Sequence, residues 1–324
     1  MEHLYMIAAM ADYDALHVVK GNAMAVLPEV ASCLPFVSPS AAPTLSRDFD
    51  LALEERVHAP LCAGLINKGG YDDRKLRFDG HRSFWDCSDG AGGKHHLVLR
   101  FGPTIYHERA ATGLPAHTDD ALYDRLIHAG EQQYADPLAF FSRPFGVGIL
   151  LFDSSGSLLL FRRSATASYA GCYHAVGGFV DGDPAALFRS ERESRANDFL
   201  ALSTRTLACE LNEELGIPVL SPSLLGFVEG TTGVAAYYQS QILLPASVIH
   251  DSMFSASDGS CHDGVLTLAR PQDMCDVITG NLPVVPECVG AMLLWLRQVD
   301  KELYSEACDS LPRRYGQRYG VLPR

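Results

Sequence analysis

Three glutamates in the stretch CELNEELGI, residues 209–217, are spaced for chemistry. Glu210, Glu213 and Glu214 stand at i, i+3 and i+4, so on a helix their carboxylates share one side. Like charges so placed repel, and a divalent cation between them removes the cost. Mg²⁺ suits such a set: it prefers oxygen ligands and binds through a few carboxylates plus substrate phosphates. A plain solvated acidic face is the competing reading. Neighbouring residues favour the metal. Gly177 and Gly178 end a short apolar stretch upstream, Arg162 and Arg163 close a preceding hairpin, and His262-Asp263 precedes a late apolar run.

These residues need elements to hold them. Leu200, Leu207, Leu211 and Leu215 repeat along one side of a helix predicted from about Asp198 to Leu215. Gly216 is placed to end it in a left-handed turn, and Pro218 prevents resumption. VGILLFDSSGSLLLFRRS reads as two apolar strands around a turn at Asp153–Gly156. Further strands are expected at KLRFDGH, HHLVLRFG, LLGFVEG, AAYYQSQILL and GVLTLAR. Helices are expected at LALEERVHAPLCAGLI, at TDDALYDRLIHAGEQQYAD with Thr118 or Asp119 as its cap, and at the closing VPECVGAMLLWLRQVDKELY. Residues 184–197, polar and charged, read as a loop or frayed helix.

The chain has 324 residues, 47% hydrophobic and 20% charged, enough for one large domain or two ordinary ones. The change of character after SRPFG puts a boundary near residue 140, with one unit over 1–140 and a second over 141–324. A formal net charge of −13 disfavours nucleic-acid backbones and anionic membranes as partners. Nine cysteines lack a C-x-x-C pair, which argues for reduced thiols in a cytoplasmic setting. MEHLYMIAAMADYD reads as a buried strand rather than a signal peptide. His95-His96 and Cys261-His262 have zinc-type side chains, but neither has a partner pair at ligand spacing, which argues against zinc.

The residues from Glu210 to Ile217, with Gly177-Gly178 upstream, resemble the Nudix box, G-x5-E-x7-R-E-U-x-E-E-x-G-U with U apolar. The acidic half matches at every defined position after the arginine. Cys209 replaces that arginine, and the interval from the glycines is longer, leaving Asp181 or Asp183 as the nearby acids. Arg205, one turn before Cys209, is a replacement for the arginine on this reading. LVLRFGPTIY, the run from Tyr134 to Ser164 and the stretched box are similar to the Nudix branch of UDP-glucose and UDP-galactose diphosphatases.

The resemblance implies a Nudix α/β/α sandwich with a mixed sheet, preceded by a smaller α+β domain. It implies Mg²⁺, or Mn²⁺ in its place, held by Glu210, Glu213, Glu214 and a carbonyl at Gly177. It implies cleavage of a nucleotide-sugar pyrophosphate to UMP and a sugar 1-phosphate, with a small-molecule partner, no nucleic acid and no membrane. Glu213, Glu214 and Asp263 are the expected proton acceptors, with Glu229 as another. Arg162, Arg163 and Gly178 are expected at the phosphates, and Tyr106, Trp85, Tyr169 or Tyr173 at the base. The alternatives are another nucleoside diphosphate derivative such as ADP-ribose, or a Nudix module that binds without hydrolysis.

Overall fold

A computed structural model describes residues 4–20, 74–87, 93–105, 109, 120–134, 137–138, 141–165, 167, 169–180, 196–218, 221–230 and 233–315. The expectations for the helix at 51–66, Tyr106, the Thr118 or Asp119 cap, Asp181, Asp183 and residues 184–195 lie outside the described residues.

The strands form two sheets. The larger contains β1 (Leu4–Ala9), β5 (Phe145–Phe152), β6 (Leu158–Arg163), β7 (Tyr173–His174), β8 (Val176–Phe179), β9 (Ser223–Gly230), β10 (Val234–Gln241) and β11 (His262–Leu268). Its order is β1-β9-β10-β5-β6-β11, with β7 on β6 and β8 on β5. The β10–β5 pair is parallel and its other pairs antiparallel, so the sheet is mixed.

Every residue of β5 is buried, and helices cover both faces of the sheet. On one side, Val147, Ile149 and Leu151 pack with Leu207, Leu211 and Leu215 of α2 (Ala196–Leu215). On the other, Leu150 and Phe152 pack with α4 (Pro271–Thr279) and α5 (Pro286–Val299). This is the expected α/β/α sandwich. α3 (Ala246–Met253) follows β10, and the amphipathic α1 (Asp120–Tyr134) precedes β5.

The β5–β6 turn is built by Asp153. Its Oδ1 accepts from the amides of Ser155 and Ser157 at 2.8 and 3.0 Å, and Gly156 takes φ +83°. Gly216 ends α2 at φ +67°, with the Ile217 amide donating back to the Leu211 carbonyl.

The closing helix is not continuous. α5 stops at Val299 and α6 (Lys301–Tyr315) begins after Asp300, whose Oδ1 accepts from the amides of Glu302 and Leu303. An apolar periodicity that crosses an aspartate hides this break, because the cap is a local hydrogen bond rather than a change of pattern.

The smaller sheet runs β2 (Ala15–Lys20), β4 (Lys94–Ile105), β3 (Arg74–Asp86). Its buried Leu76, Phe78, Leu97, Leu99 and Phe101 join the same core as β5 and α2. Phe101 meets Phe145 edge-on at 4.8 Å and stacks on Phe199 at 5.2 Å. The Leu76 amide donates to the Val180 carbonyl at 3.2 Å and the Phe78 amide to the Arg143 carbonyl at 3.0 Å. The first twenty residues feed both sheets: β1 pairs with β9, and β2 pairs with β4. No described helix is long and apolar enough to cross a membrane.

Candidate active site

The site begins where β8 meets α2. Gly178 pairs with Val147 and Gly177 with Gly148. A Cβ on Gly178 would overlap the carboxylate of Glu210, and one on Gly177 would overlap the Val147 carbonyl. The first glycine lets the acid rest on the strand, and the second lets β8 approach β5. Gly177 is therefore required by backbone approach, whereas a side chain at Gly178 would displace the Glu210 carboxylate.

Burial is the main cause that pushes the Glu210 carboxyl up to about 7, followed by the neighbouring Glu214 and Glu213. Lys75, buried on β3, offsets part of this. That lysine comes from the smaller sheet. Arg205 and Cys209 lie on the exposed side of α2.

Glu214 is buried, and its Oε2 lies 3.1 Å from His262 Nε2. Cys261 hydrogen-bonds the same carboxylate, and burial first, then Glu214, pushes its thiol up to about 12. His262 Nδ1 lies 3.4 Å from His174 Nε2. Burial, then Arg163 and His262, holds the His174 imidazole well below its usual value, so it is neutral. Arg163 Nη1 lies 3.4 Å from His174. Glu213 is exposed, and its backbone carbonyl accepts from the Asp258 amide at 2.7 Å.

A cleft of about 250 Å³ opens along the glycine strand, lined among others by Gly178, Arg109, Arg163, Tyr169, His174 and Glu287; Glu210, Glu213 and Glu214 do not line it. The Arg109 guanidinium sits 4.6 Å above the Phe179 ring. Tyr169 is one of few described non-glycine residues at positive φ, +57°. An anionic ligand here meets two arginines, a tyrosine and the glycine strand, and faces one carboxylate, Glu287.

The other expected residues have the following partners. Asp263 lies within β11, at a bulge, rather than before the strand. It pairs with Arg162 at 2.6 Å, both nearly half exposed. Glu229 is bound by Arg143, which also covers the Phe78 ring. Trp85 stacks on His95 at 4.6 Å, on the smaller sheet. Tyr173 packs with the core on the α5 side. The sequence reading missed Lys75, Arg109 and His174. None stands in a recognisable spacing with the acidic helix, and each reaches the site through a different part of the chain.

No protein-family model matches the chain, and no curated protein matches it. Solved structures are similar over about half of it. A MutT NUDIX hydrolase from Burkholderia pseudomallei is 22% identical over 46% of this chain and 94% of its own, with a TM-score of 0.30. A MutT protein from Methanosarcina mazei Go1 is 19% identical over 49% and 97%, with a TM-score of 0.33. The NUDIX domain of Shewanella oneidensis NrtR, complexed with ADP ribose, is 16% identical over 53% and 97%, with a TM-score of 0.32.

Proposed function

We propose that this chain is a metal-dependent hydrolase of Nudix type that breaks the pyrophosphate bond of a nucleoside diphosphate sugar. UDP-glucose or UDP-galactose then gives UMP and a sugar 1-phosphate. One observation carries the reading: a glutamate is buried against a glycine strand, with two more on the same helix, and that strand also lines a cleft that presents two arginines.

The donor types suit Mg²⁺, and the three carboxylates would have to draw together to share one ion, since they do not all lie within 4.8 Å of one another. Glu214 and Glu213 add to the cost of ionising Glu210, and Lys75 offsets part of it. Glu210, Glu213, Glu214 and the Gly177 carbonyl would hold the metal. When bound, it neutralises phosphate oxygens and lowers the pKa of a water. Arg163 and Arg109 bind and orient the anionic diphosphate. Tyr169 offers a face to the base or sugar at the cleft wall. Glu213 is favoured over Asp263 as proton acceptor, because Asp263 is already paired with Arg162. The UDP-sugar preference is supported by the resemblance of residues 97–180 and the stretched box.

The test is a substrate panel with Mg²⁺, scoring UMP from UDP-glucose and UDP-galactose and AMP from ADP-ribose. UMP release is expected, and Glu213→Gln should lower kcat by about 10²–10⁴ while the melting curve is kept. Release of AMP alone would move the substrate to the ADP-ribose class. No release by the wild-type chain on any substrate would overturn hydrolysis.

A further inference from the structure

We propose that Glu214, Cys261 and His262 form a second cation site, for a thiophilic divalent ion such as Zn²⁺, which shares Glu214 with the acidic helix. One carboxylate oxygen, one sulfur and one imidazole nitrogen lie within 4.8 Å of one another. This is a zinc-type donor set, distinct from the all-oxygen set suited to Mg²⁺. The 3.1 Å between Glu214 Oε2 and His262 Nε2 is close to the ligand spacing of about 3.3 Å that tetrahedral zinc with ~2.0 Å bonds requires.

The ligands sit on fixed supports. Glu214 is on the last turn of α2, and His262 opens β11. The turn carrying Cys261 is pinned by the Asp258 amide on the Glu213 carbonyl, and by Gly259, whose Cβ would overlap the Met253 carbonyl. His262 also has a second partner on its other ring nitrogen, His174, the arrangement that orients metal-binding imidazoles. Three protein ligands leave a fourth position for water or phosphate. Binding would release the thiol proton of Cys261 to solvent.

The consequence for turnover rests on the proposed hydrolase reading; the site itself does not. An ion drawing Glu214 toward Cys261 takes it from the acidic trio, so Zn²⁺ inhibits Mg²⁺-supported hydrolysis.

The experiment uses the full chain, freed of metal and titrated with Co²⁺ as a spectroscopic substitute. The wild type should show thiolate-to-cobalt charge transfer and four-coordinate d–d absorption at one equivalent, both displaced by Zn²⁺. Cys261→Ser should lose the thiolate band and keep its melting curve, and Glu210→Gln should keep the band. His174→Gln should weaken the affinity by about 10–100-fold. No thiolate band in the wild type, or the same band in Cys261→Ser, overturns the site. At saturating Mg²⁺, Zn²⁺ should inhibit the wild type and spare Cys261→Ser; equal inhibition overturns the sharing of Glu214. A chain that hydrolyses nothing still gives the cobalt spectrum, so the two readings fail separately.

Discussion

A carboxylate buried against a strand and beside two others is expensive to ionise. For Glu210 the rise from 4.5 to about 7 corresponds to roughly 3 kcal/mol. The sign follows from proton counting. Between pH 4.5 and about 7 the folded chain holds a proton that the unfolded chain has lost, so stability falls as pH rises through that window. The metal-free protein should therefore melt lower at pH 7 than at pH 5 by this contribution. Glu210→Gln should flatten that dependence, and Mg²⁺ should also flatten it by supplying the missing positive charge. Lys75→Met should extend the window upward in pH, because it removes the cation that lowers the folded Glu210 pKa while the unfolded value stays put. Melting curves across pH with and without Mg²⁺ check all three; a profile that Glu210→Gln leaves unchanged would contradict the assignment.

The glycine strand and the acidic helix act as one unit, and this part was legible in the sequence. The leucine repeat, Gly216, Pro218 and the Asp153 turn each leave a local signature, and each appears where its signature lies. Other features leave none. The Glu214–His262 contact joins residues 48 positions apart, so no spacing rule on either segment reveals it. The Asp300 break needs only one carboxylate oxygen facing two amides. The β8–α2 junction gives a sharp prediction. Gly178→Ala places a methyl group where the Glu210 carboxylate lies, so α2 or the side chain must move. Mg²⁺ affinity should drop by about tenfold or more, since outer contacts of metal ligands are worth 10–100-fold. Calorimetric titration with Mg²⁺ measures it. Gly264→Ala, on β11 where an added Cβ meets nothing nearer than 3.7 Å, is the control for generic glycine loss.

At the scale of the molecule, the question is whether residues 141–324 suffice. The change of character after SRPFG puts a boundary near residue 140, yet hydrogen bonds cross that line. β1 closes the edge of the larger sheet on β9, Leu76 caps the Val180 carbonyl beside the glycine strand, and Phe101 fills the space between Phe145 and Phe199. Lys75 brings its charge to Glu210 from the same side. A fragment of 141–324 exposes Phe145 and Phe199 and loses an edge strand. Removing the Phe101 ring alone should cost about 3–5 kcal/mol, as large-to-small core changes do. The fragment should therefore melt well below the full chain and bind Mg²⁺ more weakly, and residues 1–140 added in trans should restore part of both. A fragment that melts and binds Mg²⁺ like the full chain would mean that the smaller sheet is an appendage. The shared core at Phe101 argues against that, because the same aromatic cluster serves both sheets and stands directly behind the acidic helix.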